Sequence, residues 1–73
     1  MLRRFHVILQ AEAVGGYSVF VPALPGCASQ GETEADAMAN IQEAIALYLE
    51  GLAADRQPIP TDDVLWREVE VAA

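Results

Sequence analysis

The sequence predicts a two-layer α+β domain, one helix packed on a mostly antiparallel four-stranded sheet, in the order β-β-β-α-β. Three observations predict it. Apolar residues alternate with a period of two in the first third of the chain and again near its end, as in strands with one buried face. Between these stretches the apolar spacing becomes helical, over residues 34–54. Glycine and proline fall where one periodicity stops and the next begins.

Strand one is predicted over residues 5–12, where Phe5, Val7, Leu9 and Ala11 alternate with His6, Ile8, Gln10 and Glu12. Ile8 leaves an apolar side chain on the second face. Ala13-Val14-Gly15-Gly16 turns the chain, because Gly15 and Gly16 take up positive φ without steric cost. Strand two, residues 17–21, is aromatic and β-branched, and Pro22 ends it by removing a ladder donor. Pro25-Gly26 marks a second turn, and a short strand of small residues, 27–30, fits before Gly31. Thr33 is predicted to cap the helix, its hydroxyl accepting from an orphan backbone N–H, with Asp36 placed to answer as a capping-box variant.

In the helix, Met38, Ile41, Ile45, Tyr48, Leu49 and Leu52 fall on one side, facing the sheet. Asp36, Asn40, Glu43 and Glu50 lie opposite, with Leu47 among them. Glu34 and Asp36 in the first turn suit the helix dipole. Gly51 weakens the last turn, and the helix ends before Gln57-Pro58-Ile59-Pro60. A fourth strand over 64–71 puts Leu65, Arg67, Val69 and Val71 on one face and Trp66, Glu68 and Glu70 on the other. Short turns make the first three strands antiparallel neighbours. The helix and the Pro-rich link can carry the fourth to lie beside the first.

The wording of the central stretch is itself specific. Gly15-Gly16-Tyr17, then Val21-Pro22-x-Leu24-Pro25-Gly26-Cys27, then Ser29-Gln30-Gly31-Glu32-Thr33, lead into Asn40-Ile41-x-Glu43-Ala44-Ile45-x-x-Tyr48-Leu49. Together they resemble the HicB family of antitoxin-like proteins, over residues 5–60. The resemblance implies a HicB-like fold, a truncated relative of the ribonuclease H architecture. It also implies an antitoxin role, in which a small basic HicA-type RNA-cleaving toxin is bound and neutralised. Fuller HicB proteins carry a C-terminal DNA-binding domain; residues 1–73 are read as a single HicB-like domain without one.

Composition bears on the partners. Seventy-three residues make one domain, and a chain this short buries only about 60% of its unfolded surface. Cys27 and His6 are each alone, so neither a disulfide framework nor a Cys/His metal site can supplement the core. The hydrophobic share of 53% supplies surface for self-association, and the sheet face away from the helix is expected to be buried in a homodimer or larger oligomer. The net charge of −7, with four arginines and no lysine, argues against direct nucleic-acid binding and favours a basic protein as partner. No run approaches the ~20 apolar residues that cross a bilayer, and the apolar start stops at Leu9, too short for a secretory core. With one unpaired cysteine, the expected location is cytoplasmic.

No catalytic, cofactor-binding or metal-ligating residues are expected. A nucleophilic thiol needs a base or cation nearby, and nothing in the spacing brings His6 to Cys27. A ribonuclease H-type metal site needs clustered acids, whereas strand one carries none until Glu12. The candidate partner-binding residues are Glu32, Glu34, Asp36, Glu43, Leu47 and Glu50, along the acidic side of the helix, and Trp66, since tryptophan is enriched at binding hot spots. The alternative is a solitary homo-oligomeric module that binds a protein or small ligand and has no toxin partner.

Overall fold

A computed structural model describes residues 2–73. Three strands, β1 (Ile8–Ala11), β2 (Tyr17–Phe20) and β3 (Ala28–Gly31), precede one helix, α1 (Glu34–Ala54). The strands form an antiparallel sheet in the order β1-β2-β3, with Leu9 opposite Val19 and Val19 opposite Ser29. The helix lies across one face of it, mainly over β3 and β2.

The turns are those the glycines and prolines announce. Gly15 and Gly16 both have positive φ in the β1–β2 hairpin, where the Glu12 N–H donates to the Gly16 carbonyl (2.9 Å). In the second turn the Cys27 N–H donates to the Leu24 carbonyl across Pro25-Gly26 (3.0 Å), and Gly26 has φ 83°. Pro at the second position and positive φ at the third are what a type II turn requires. Before it, the Val21 N–H is taken by the Cys27 carbonyl and the Leu24 N–H by the Val21 carbonyl. The chain therefore folds over at Leu24, and this loop residue is 0% exposed.

Pro22 explains why β1 is shorter than the predicted 5–12. Continuing its register would set Val7 against Val21 and His6 against Pro22. The His6–Pro22 pair is the next that would exchange backbone hydrogen bonds, and Pro22 has no N–H to give. Residues 5–7 stay extended with no strand beside them, although Phe5 and Val7 still pack against the core.

Helix α1 has the predicted bounds and both ends are capped. The Thr33 hydroxyl accepts from the Asp36 N–H (3.1 Å), an interaction that stabilises a helix by about 1 kcal/mol. At the other end Arg56 takes φ 57°, with the Gln57 N–H on the Leu52 carbonyl (2.8 Å) and the Arg56 N–H on the Ala53 carbonyl (3.1 Å). This is a Schellman closure built on a residue with a side chain in place of the usual glycine.

The core comprises Val19, Val21, Leu24, Cys27, Ala37 and Ile41, with Phe5, Val7, Leu9, Tyr17, Ala44, Ile45, Tyr48 and Leu49 packed around it. The helix presents its alanines more fully than the spacing of its large residues implies. Ala37 is completely covered, while Met38 sits at the margin of the buried stripe, 41% exposed. The small Ala37 lets α1 approach β3 closely, and Met38 is displaced to the edge as a result.

The predicted fourth strand is absent from the fold of the single chain. Residues 58–73 carry no helix or strand. Leu65, Trp66, Val69 and Val71 are 74–85% exposed. The radius of gyration is 14.2 Å, against about 11 Å for a compact domain of this length. The period-two pattern is real, but a pattern specifies which faces a strand would have and supplies no backbone to pair with. What the tail does have is an anchor. The His6 N–H and ring Nδ1 both donate to Asp62 Oδ2, each at 2.8 Å, so the chain after the helix does return to the start of the sheet. His6 is the tether.

Candidate partner-binding surface

The acidic residues singled out from the sequence are all exposed, and the fold sorts them into two groups. At 100° per residue, Asp36, Glu43, Leu47 and Glu50 fall within one narrow strip of the helix, on the side away from the sheet. Leu47, 63% exposed, is the apolar point within it. Glu34 does not join this row. It lies on the same side as Ile41 and Ile45, ahead of the sheet, which corrects the expectation of one continuous acidic face.

Glu32 precedes the helix and belongs to a different feature, an open cleft of about 1080 Å³ between the β1–β2 hairpin and the start of α1. Three carboxylates border it, Glu12, Glu32 and Asp36. Glu12 was not singled out from the sequence, where it reads as a strand terminus. Register brings it to this end of the sheet, and its Oε1 accepts from the Ser18 hydroxyl (2.6 Å). On the far wall, Asn40 Nδ2 donates to the Gln30 carbonyl (2.7 Å), fixing α1 to β3. Asp36 is common to the cleft and the helix row, so the two form one acidic surface around the helix start.

Trp66 stands apart, 74% exposed on the tail. The turn and cap positions do what their types predict, with Gly15, Gly16, Pro25 and Gly26 in the turns and Thr33 at the cap. Tyr48 ties the helix to the second turn, its hydroxyl donating to the Pro25 carbonyl (3.0 Å). Cys27 is buried, and burial pushes its thiol pKa up, the opposite of what a nucleophile needs. Among the described residues, no three His, Cys, Asp or Glu side chains stand close enough to hold a metal ion.

Asp62 carries the other perturbed group. Burial works to raise its pKa, and Oδ1 is buried without a donor, but the hydrogen bonds from His6 outweigh this and the net shift is downward from 3.8. A carboxylate whose pKa falls on folding stabilises the fold above its unfolded pKa, and that contribution is lost as pH drops through the folded value. The tether should therefore hold at neutral pH and release only in acid below about pH 4. Following the His6 amide by NMR against pH tests this; a midpoint at or above 3.8 would contradict it.

The fold and this surface define a class of protein, a small acidic α+β module with a broad carboxylate-lined face. Residues 5–70 match the family model for the HicB_like antitoxin of bacterial toxin-antitoxin systems, and the chain belongs to that family. It is 45% identical over 67 residues to UPF0150 protein ssr1765 of Synechocystis sp., covering 92% of this chain and 85% of that protein. It is also 45% identical over 60 residues to UPF0150 protein Ta0767 of Thermoplasma acidophilum, covering 82% and 87%. Among solved structures, a chain of a HicA3 and HicB3 toxin-antitoxin complex superposes with a TM-score of 0.65 at 31% identity, over 80% of this chain and 67% of that one. Among the described residues, no helix is long and apolar enough to cross a membrane.

Proposed function

We propose that this protein is an antitoxin that binds a small basic RNA-cleaving toxin of the HicA type and blocks it, acting in the cytoplasm and without direct contact to nucleic acid. The observation that carries this reading is the exposed strip of Asp36, Glu43 and Glu50 around Leu47, continuous with Glu32 and Glu12 at the cleft, in a member of an antitoxin family. Resemblance to a chain of a toxin–antitoxin complex supports the partner's class. A toxin that cuts RNA needs a basic surface for phosphates, and a row of carboxylates is the complement of such a surface. Docking there would occupy the RNA site, so inhibition would be competitive with RNA.

The test is a titration against a basic toxin of this class, with RNA cleavage and association rate both read. Neutralising Asp36, Glu43 and Glu50 together is expected to slow association about tenfold at low salt, with the difference shrinking as salt rises. Leu47→Asp should weaken the complex by a faster off-rate, and both variants should keep the wild-type helical signal. If both bind like wild type while Trp66→Ala does not, the partner uses the tail and the helix proposal fails. A chain that self-associates but leaves RNA cleavage by the toxin untouched would support the solitary-module reading.

A further inference from the structure

Two features of the chain are incomplete, and each has what the other lacks. The first is the outer edge of β1. Because the Glu12 N–H donates to the Gly16 carbonyl across the hairpin, Ile8 and Gln10 turn their backbone groups towards β2, while Leu9 and Ala11 turn theirs outward, away from the sheet's other strands. Beside this edge the helix overhangs an apolar groove of about 660 Å³, lined by Phe5, Val7, Met38 and Ile45, with Arg3 and Arg4 at its rim. On the opposite sheet face, Ile8 and Phe20 form a half-exposed apolar pair, each 43% exposed. The second feature is the tail, unpaired and alternating in sequence, with apolar residues at positions of both parities and Glu68 and Glu70 near its end.

We infer that the tail of a second copy of this chain, residues 64–71, adds to the β1 edge as a fourth, antiparallel strand, and that the exchange is reciprocal. One register matches the apolar positions on both faces, with Arg67 set beside Val7 at the groove. With Leu65 beside Leu9 and Val69 beside Phe5, those side chains enter the groove under the helix. Trp66 then lies beside Ile8 and covers the Ile8–Phe20 pair, and Glu70 lies beside Arg4. An edge strand, an apolar groove and Arg4, in a chain of net charge −7, are all matched by one eight-residue segment.

The donor is another copy, because the chain's own tail cannot take this register. It would place residue 62 beside residue 12, six residues or roughly 20 Å along the strand from His6, where Asp62 is held. Running parallel from that anchor, the same tail would bring Glu68 to Glu12, like charges side by side. Reciprocal exchange closes a twofold dimer and leaves no free tail. Each sheet then has the four strands the sequence predicts.

Sedimentation equilibrium of the full chain at micromolar concentration is expected to give a dimer. Val69→Asp should give a monomer that retains the helical circular dichroism signal. Arg4→Glu and Glu70→Arg should each weaken dimerisation on the order of tenfold, since each makes two cross-strand pairs repulsive. Mixing those two variants should restore wild-type affinity, because the mixed dimer re-forms both pairs with the charges exchanged. A monomeric wild type, a Val69→Asp variant that still dimerises, or a mixture no tighter than its components would each overturn the proposal.

Discussion

Gly31→Ala is expected to lower the melting temperature by more than ~10 °C, the largest effect among the glycine-to-alanine changes in this chain. Gly31 ends β3 at the point where the first turn of α1 crosses the sheet. An ideal Cβ there would overlap the Ala37 nitrogen and sit 2.7 Å from the Asp36 carbonyl carbon. Both are backbone atoms within a capped helix, so no side-chain rotation relieves the overlap. The helix must lift from β3 instead, and with it Ala37 and Ile41 lose their packing. Overpacking of this kind costs about 3 kcal/mol or more when backbone has to move, from a total of roughly 4–11 kcal/mol for 73 residues. Gly51→Ala is the control. Beyond its chain neighbours and the helix's own backbone, no atom lies within 4 Å of its added Cβ, and alanine in a helix interior stabilises by about 1 kcal/mol relative to glycine. Thermal unfolding of the two variants side by side checks the argument. A Gly31→Ala protein that melts within a few degrees of wild type would show that α1 does not pack as closely as described.

Leu24→Ala is expected to cost about 2–5 kcal/mol, a large share of that total. Leu24 is the largest fully buried side chain in the protein. It lies between two turns whose backbone bonds run Leu24 to Val21 and Cys27 to Leu24, so the loop cannot collapse into the space a shorter side chain leaves. The cavity term should therefore be close to its full value. Urea unfolding would read the loss as a lower midpoint at unchanged slope. A loss under ~1 kcal/mol would mean that neighbouring side chains refill the site.

Leu24 also shows where the sequence was hard to read. In Val-Pro-Ala-Leu-Pro-Gly the flanking prolines and glycine announce a loop, and loops run over the surface. Here the turn chemistry itself drives the leucine inward, through a hydrogen bond on each side of it. Ala37 was missed for a different reason. Its side chain is too small to stand out in a hydrophobic pattern, yet its smallness opposite Gly31 is what brings helix and sheet together. The acidic surface was half legible. Helical spacing places Asp36, Glu43 and Glu50 around Leu47, but the cleft depends on Glu12 arriving from the far end of a hairpin. Glu34 falls elsewhere because a two-residue step on a helix turns the side chain by about 200°.

The local elements, by contrast, needed no fold to be seen. Glycines and prolines specify the turns, Thr33 starts the helix and the Pro-rich segment stops it, because each acts through its own backbone and nearest neighbours. Period and composition likewise determined that the first strands are half-buried and that the surface is acidic. Which side chains plug the core, which carboxylates share a face, and that His6 tethers the chain at Asp62 were decided only by tertiary structure. These are contacts between residues up to 56 positions apart, set by register and close approach, and no local pattern encodes them. The fourth strand falls between the two. Its alternation is written in residues 64–71, but a strand exists only where another backbone meets its hydrogen bonds, and the single chain offers that segment none.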